Sequence, residues 1–192
     1  WYSYRTMITK VVIGAGVTKL TNNAFCGCIN LTEAEFAENS SLTMIGGGAF
    51  KSCSSLESIQ LPEGLTTISG NAFKYCRSLR EVYLPNTISQ IDGLAFTGLS
   101  DVTFSVAYGS YAKSWAESQG FAYVEREPAQ IASGTCGENL SWTLGSDGLL
   151  TIDGTGSMAT YYGETNIPWY AYRGMITKVV IGAGVTKLTN NA

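Results

Sequence analysis

The chain has 192 residues, 45% hydrophobic and 14% charged, with a net charge of −3 and no histidine. That composition suits one sizeable packed domain or two small ones and argues against disorder. Without histidine there is no Ser-His-Asp or Cys-His catalysis and no His-ligated metal; without a block of like charge there is no electrostatic footprint for nucleic acid or anionic lipid.

The opening, Trp1-Tyr2-Ser3-Tyr4-Arg5, is not a signal peptide, and no apolar run approaches the roughly 18 residues of a membrane span. The chain therefore reads as an internal fragment of a longer protein. Four coils follow in register. Each begins with an apolar triplet: Ile8-x-x-Val11-x-Ile13, Leu31-x-x-Ala34-x-Phe36, Leu56-x-x-Ile59-x-Leu61 and Leu79-x-x-Val82-x-Leu84. A second apolar pair comes next, Val17 with Leu20, Leu42 with Ile45, Leu65 with Ile68, and Ile88 with Ile91. Turns are expected at Gly14 to Gly16, Pro62-Glu63-Gly64 and Pro85-Asn86.

Each coil closes on one phrase, Ala-Phe-x-x-Cys: Ala24-Phe25-Cys26-Gly27-Cys28, Ala49-Phe50-Lys51-Ser52-Cys53 and Ala72-Phe73-Lys74-Tyr75-Cys76. A fourth copy, Ala95-Phe96-Thr97-Gly98-Leu99, puts Leu where Cys stood. Successive Phe residues are 25, 23 and 23 apart, the spacing of a solenoid whose units bury their apolar faces only against one another. The fourth coil is cut short and passes into a terminal strand, Val102-Thr103-Phe104. Ser110 then N-caps a helix carrying Tyr111, Ala112, Trp115 and Ala116 on one face, with Gly120 as its C′ residue. Phe121 to Val124 reads as a closing strand, and the first domain ends near Glu127-Pro128.

Beyond it, residues 139–144 alternate at period two, Gly145 to Gly148 turn the chain, and 150–152 alternate back. This is a β-hairpin with Leu140, Trp142, Leu144, Leu150 and Ile152 on its buried face. Residues 169–192 repeat 1–24 with 22 of 24 identical, differing only at Ser3/Ala171 and Thr6/Gly174. A tandem array of units of about 168 residues is the implied parent, since a repeat at fixed offset marks an array.

The pattern L-x-x-V-x-L-P, then V-T-x-I-x-x-x-A-F-x-x-C, resembles the BspA-like leucine-rich repeats of bacterial and protozoan surface proteins over residues 8–104. Gly109-Ser110-Tyr111-Ala112 with Ala116-Glu117 is similar to that family's terminal cap. Gly134-Thr135-Cys136-Gly137 through Trp142, with Pro168-Trp169-Tyr170, is similar to a module that precedes such arrays in secreted proteins of gut bacteria. Two departures, the two-residue insertion near Asn39-Ser40-Ser41 and the missing Pro in the first two coils, put the regularity of the sheet in doubt there. The expected fold is mainly β with a short helical cap: a right-handed leucine-rich-repeat solenoid of about four to five coils plus a β-hairpin module. Its divisions are 1–128 for the solenoid and cap, 129–168 for the hairpin module of a following unit, and 169–192 for a truncated copy of the first coil.

The resemblance implies a secreted or cell-surface protein that adheres to host matrix proteins or other microbes, and it brings no catalytic residues. Cys28, Cys53 and Cys76 hold one equivalent position, so stacked core thiols are preferred, with disulfides between neighbouring coils as the alternative and zinc disfavoured. Cys26 is the thiol expected to be most exposed, and Cys136 is expected to pack without a mate. Gly14-Ala15-Gly16-Val17-Thr18-Lys19 lacks the Lys-Ser/Thr of a phosphate loop, and Asp153-Gly154-Thr155-Gly156-Ser157 reads as a loop leaving the hairpin. Glu33, Glu35, Glu57 and Glu81 read as solvated carboxylates on strands, not as a hydrolytic pair. No cofactor or metal is implied.

The remaining candidate is the open sheet face: Lys10 and Val12, Glu33 and Glu35, Ser58 and Gln60, Glu81 and Tyr83, and Asp101 and Thr103, the third and fifth positions of successive strands. The expected function is a non-enzymatic extracellular module that binds a protein or glycan there. The alternatives are a structural spacer and, behind it, carbohydrate binding. Neither nucleic acid nor membrane insertion is expected. Head-to-tail self-association is expected, with the hairpin module of one chain on the first coil of another.

Overall fold

The computed structural model describes residues 2–127 and 129–188, which fall into two compact units, 1–126 and 127–192. Pro128, half of the boundary expected at Glu127-Pro128, lies outside the described residues, as do Trp1 and residues 189–192 of the repeated segment.

In the first unit the open face carries β1 (Lys10–Ile13) while β2 (Lys19–Leu20) lies on the back. The next coils repeat this with β3 (Glu33–Phe36) and β4 (Met44–Ile45), β5 (Ser58–Gln60) and β6 (Thr67–Ile68), then β7 (Glu81–Tyr83) and β8 (Gln90–Ile91). The cap is β9 (Thr103–Ala107), α1 (Tyr111–Gln119) and β10 (Ala122–Arg126). All neighbouring strands of this unit pair in parallel, each coil laying its strand beside the last.

The Ala-Phe-x-x-Cys phrase is the corner that makes this stacking possible. Phe25, Phe50, Phe73 and Phe96 form a spine with centroid separations of 5.2, 5.3 and 4.9 Å, the last two pairs nearly coplanar. Ala49, Ala72 and Ala95 are fully buried, so a larger side chain would push the coils apart. The corner is framed by left-handed residues: Asn23, Gly48 and Asn71 before the Ala, and Gly27, Ser52, Tyr75 and Gly98 before the Cys position. Asn and Gly tolerate that region; Ser52 and Tyr75 occupy it at a cost. The cysteines are free thiols rather than inter-coil disulfides. Cys53 Sγ donates to the Phe25 carbonyl at 3.2 Å and Cys76 Sγ to the Phe50 carbonyl at 3.0 Å, linking each coil to the one before.

The spine ends by turning its last ring onto the cap. Phe96 meets Phe104 edge-on at 4.9 Å and Trp115 at 5.6 Å, so the solenoid's exposed end is covered by aromatics of β9 and α1. Ser110 caps α1 by accepting from the Lys113 N–H at 3.2 Å, and Gly120 closes it at φ 73°. Both cap strands are longer than the sequence suggested. The terminal strand runs from Thr103 to Ala107 rather than 102–104, because Val102, Phe104 and Val106 alternate inward and all are buried. The closing strand runs from Ala122 to Arg126 rather than 121–124.

The back-face ladder β2-β4-β6-β8 is continuous, but the open face splits into β1-β3 and β5-β7-β9-β10. The split lies after the insertion near Asn39-Ser40-Ser41. The extra residues are absorbed before β4, which still pairs with β2 and β6, so the break is confined to the open face.

The second unit contains more than a hairpin. β11 (Gln130–Gly137), β12 (Leu140–Gly145) and β13 (Leu149–Gly154) form an antiparallel sheet, and β14 (Gly156–Ser157) follows. The sequence missed β11 because Ser133, Gly134, Thr135 and Gly137 hide its alternation. β15 (Lys178–Ile181) adds to β13 in parallel, and β16 (Val185–Lys187) pairs with β14. The phrase from Asp153 to Ser157 is therefore strand on both sides of Thr155, not a free loop. Leu140, Trp142, Leu144, Leu150 and Ile152 are all buried, with Cys136, Met158 and Trp169.

Candidate interaction surface

Period-two alternation sends Val11, Ala34, Ile59 and Val82 inward and leaves their neighbours on the open face. Ladder pairing then sets those neighbours in two rows. Lys10 faces Glu33 and Val12 faces Glu35; Ser58, Glu81 and Thr103 stand in one row and Gln60, Tyr83 and Ser105 in the other. This register corrects one assignment: Thr103 takes the third position and Ser105 the fifth, while Asp101 stands before the strand. Phe104, meeting Phe96, is the inward residue between them, and anchoring that ring moves the register by two.

On the first sheet, Lys10 Nζ bridges Glu33 at 2.8 Å and Glu35 at 2.6 Å. Hydrogen bonds to the two carboxylates hold the Lys10 ammonium above the ordinary lysine value. The pair of glutamates is thus partly neutralised, and Val12 beside it is exposed.

The second sheet holds a more built site. Tyr83 donates its hydroxyl to Glu63 Oε1 at 2.6 Å, and the Arg126 guanidinium lies 3.6 Å from the Tyr83 ring centroid. Arg126 is itself fixed, donating to the Leu84 carbonyl at 2.8 Å and the Ser105 carbonyl at 3.0 Å. Burial and the bond to Glu63 raise the Tyr83 phenol above its usual value, against the pull of Arg126. Beside this stack a groove of about 560 Å³ is lined by Ser58, Gln60, Glu81, Tyr83, Asp101 and Thr103, with Arg80, Ser105 and Val124. The Glu81 carboxylate has no hydrogen bond or ion pair among the described residues, and Arg80 turns back to donate to the Arg77 and Leu79 carbonyls. A second groove, about 460 Å³, follows the split in the sheet between Glu35 and Glu38 on one side and Gln60, Glu63 and Tyr83 on the other.

Six of the ten candidate residues therefore converge on one groove, and Lys10, Val12, Glu33 and Glu35 lie on the neighbouring sheet. Sequence reasoning missed Glu63, Ser105, Val124 and Arg126. The signal was present for two of them: alternation carried from Val124 one step further along the closing strand puts Arg126 on the same face. Glu63 sits in a turn and had no such signal. Among the described residues no group of three or more Cys, Asp or Glu could hold a metal ion. The cysteine ladder is remote from this chemistry. Burial raises the Cys28, Cys53 and Cys136 thiols above their usual value and pushes Cys76 up to about 12.

Residues 2–113 match the family model described as BspA type leucine rich repeat region, in 6 copies. No curated protein sequence matches. Three solved structures are similar. A leucine-rich-repeat protein of T. pallidum is 30% identical, over 52% of this chain and 46% of that one, at a TM-score of 0.49. A leucine-rich-repeat protein from Bacteroides ovatus is 24% identical, over 63% and 31%, at 0.52, a likeness of fold. A leucine rich cell surface protein from Faecalibacterium prausnitzii is 19% identical, over 94% and 56%, at 0.40. The matched region thus spans less than half of the first two proteins.

Proposed function

This chain belongs to the BspA-type leucine-rich-repeat family, and from that premise we propose that it is a non-enzymatic, extracellular interaction module engaging a protein partner through the open face of its second sheet. The observation that carries the reading is the groove at Glu81 and Asp101, walled by the locked Tyr83–Arg126 stack. A carboxylate left without a partner, an immobilised aromatic–guanidinium pair and the exposed Val124 are the mixture that interaction surfaces use: a preorganised anchor, an apolar contact and an acceptor that selects a donor. The fitting partner presents a lysine or arginine to Glu81. Repeat families of this kind bind through their sheet face, and surface or secreted location is what the family resemblance implies. No helix among the described residues is long and apolar enough to cross a membrane.

The test is binding to an immobilised panel of extracellular matrix proteins, with a glycan array beside it, comparing wild type with Glu81→Lys/Tyr83→Ala. Loss of a wild-type interaction with retained circular dichroism supports the face. Binding that survives both substitutions moves the site elsewhere. The second reading is a spacer, favoured by the tandem copy of 22 in 24 residues; a wild-type chain that binds nothing on either array supports it.

A further inference from the structure

The corner turns carry a charge pattern that the open face does not. Residues 46–55 and 69–78 hold Lys51, Lys74 and Arg77 and no carboxylate. The last corner, 92–100, adds a single charged residue, Asp92, whose Oδ1 accepts the Leu94 N–H at 2.8 Å. This basic ridge belongs to a chain of net charge −3, so its sign is local. Lys51 and Lys74 hold the same position of successive coils, and the Ser52 N–H donates to the Lys74 carbonyl at 2.8 Å. Their side chains therefore leave the backbone about 4.8 Å apart, one strand spacing. Neither lysine nor Arg77 makes an ion pair or donates a side-chain hydrogen bond among the described residues.

Tyr75 organises the ridge. The same position is Gly27, Ser52 and Gly98 in the other coils, and the backbone there is left-handed, with φ 63° at Tyr75. Tyrosine takes that conformation at a cost, so the turn itself gives no reason for the ring. The ring lies over Gly98 of the next coil, where a Cβ would come within 2.7 Å of its Cδ1. It stays 41% exposed, and Lys74 Nζ and Arg77 Cζ lie 5.0 and 6.0 Å from its centroid. Two cations that repel each other are thus gathered on one aromatic platform. The Tyr75 and Ser52 hydroxyls beside them have no hydrogen bond among the described residues.

We propose that this ridge binds a sulfated polysaccharide, with one sulfate held between Lys74 and Arg77 and a second at Lys51. Cations set on successive coils suit a ligand whose anions recur along a chain, and the free hydroxyls between them suit sugar hydroxyls. Nucleic acid and membranes ask for something else. Single strands are held in a charged groove with successive stacking rings, and anionic lipid by clusters of about 4–8 Lys/Arg; the ridge offers one ring and fewer cations. It shares no residue with the groove at Glu81 and Asp101, and neither reading needs the other.

Surface plasmon resonance of the 192-residue chain over immobilised heparin tests this, with desulfated heparin, single-stranded DNA and phosphatidylserine vesicles in separate channels. Binding to heparin alone is expected, weakening as salt rises. Lys51→Ala/Lys74→Ala should weaken it by roughly tenfold or more, with circular dichroism unchanged. Tyr75→Gly, which gives the turn the residue its geometry favours, should keep the fold and weaken binding by about fivefold. Tyr75→Phe keeps the platform and should keep the binding. Tyr83→Ala, in the groove assigned to a protein partner, should leave heparin binding unchanged, so the two readings fail separately. No binding to heparin at low ionic strength, equal binding to desulfated heparin, DNA or vesicles, or equal losses for Tyr75→Phe and Tyr75→Gly overturns the proposal.

Discussion

Replacing Phe73 by Ala removes the middle of the aromatic spine. Phe73 is fully buried and stacks on Phe50 at 5.3 Å and on Phe96 at 4.9 Å, with interplanar angles of 8° and 4°. A buried Phe→Ala change costs about 3–5 kcal/mol, and a ring sandwiched this closely belongs in the upper half of that range, about 4–5 kcal/mol. The coils on either side are fixed by ladder bonds and cannot close the cavity. Phe25, half-buried and tilted 26° from Phe50, should cost about half as much. Urea unfolding followed by far-ultraviolet circular dichroism reads both. With a slope of about 2 kcal/mol per molar urea, Phe73→Ala should lower the midpoint by about 2 M and Phe25→Ala by about 1 M. Equal shifts for the two, or a Phe73 shift under about 0.5 M, would show that the spine does not carry the stacking energy assigned to it.

The thiols give a second check. Cys28, Cys53, Cys76 and Cys136 are buried and Cys26 is not, so a thiol reagent should modify one cysteine quickly and four only on unfolding. Cys76 keeps its proton in the folded chain up to about 12, while an unfolded thiol ionises from about 8.5. The unfolded state therefore holds fewer protons between those values, and stability should fall as pH rises through them, by less in Cys76→Ala. Ser52 sits at φ 62°, where a side chain is strained, so Ser52→Gly should raise stability by about 0.5–1 kcal/mol in thermal unfolding; a drop would mean that its side chain matters more than its backbone.

What was legible in the sequence follows from how directly each feature is written in local pattern. The coil period, the inward triplets, the Phe spine, the capped helix and the buried face of the hairpin all depend on residue spacing within a coil, and spacing is visible in one dimension. The family resemblance rested on the same phrases. The register of Asp101 and Thr103 is misplaced in the sequence because Leu99, Val102 and Phe104 fill the apolar triplet, whereas the ladder sets Phe104, not Val102, beside Val82, where its ring meets Phe96. β11 was invisible because its identity comes from pairing with β12, not from its own small residues.

The sequence by itself determined that this chain is a leucine-rich-repeat solenoid, because a repeated coil can bury its apolar positions only against copies of itself. Tertiary structure decided where the open face breaks, which residues wall its groove and what the duplicated segment rests on. Each of those depends on neighbours distant in the chain. Glu63 reaches Tyr83, Arg126 crosses β9 to the Leu84 carbonyl, and Gly182 and Gly184 press against the end of β13.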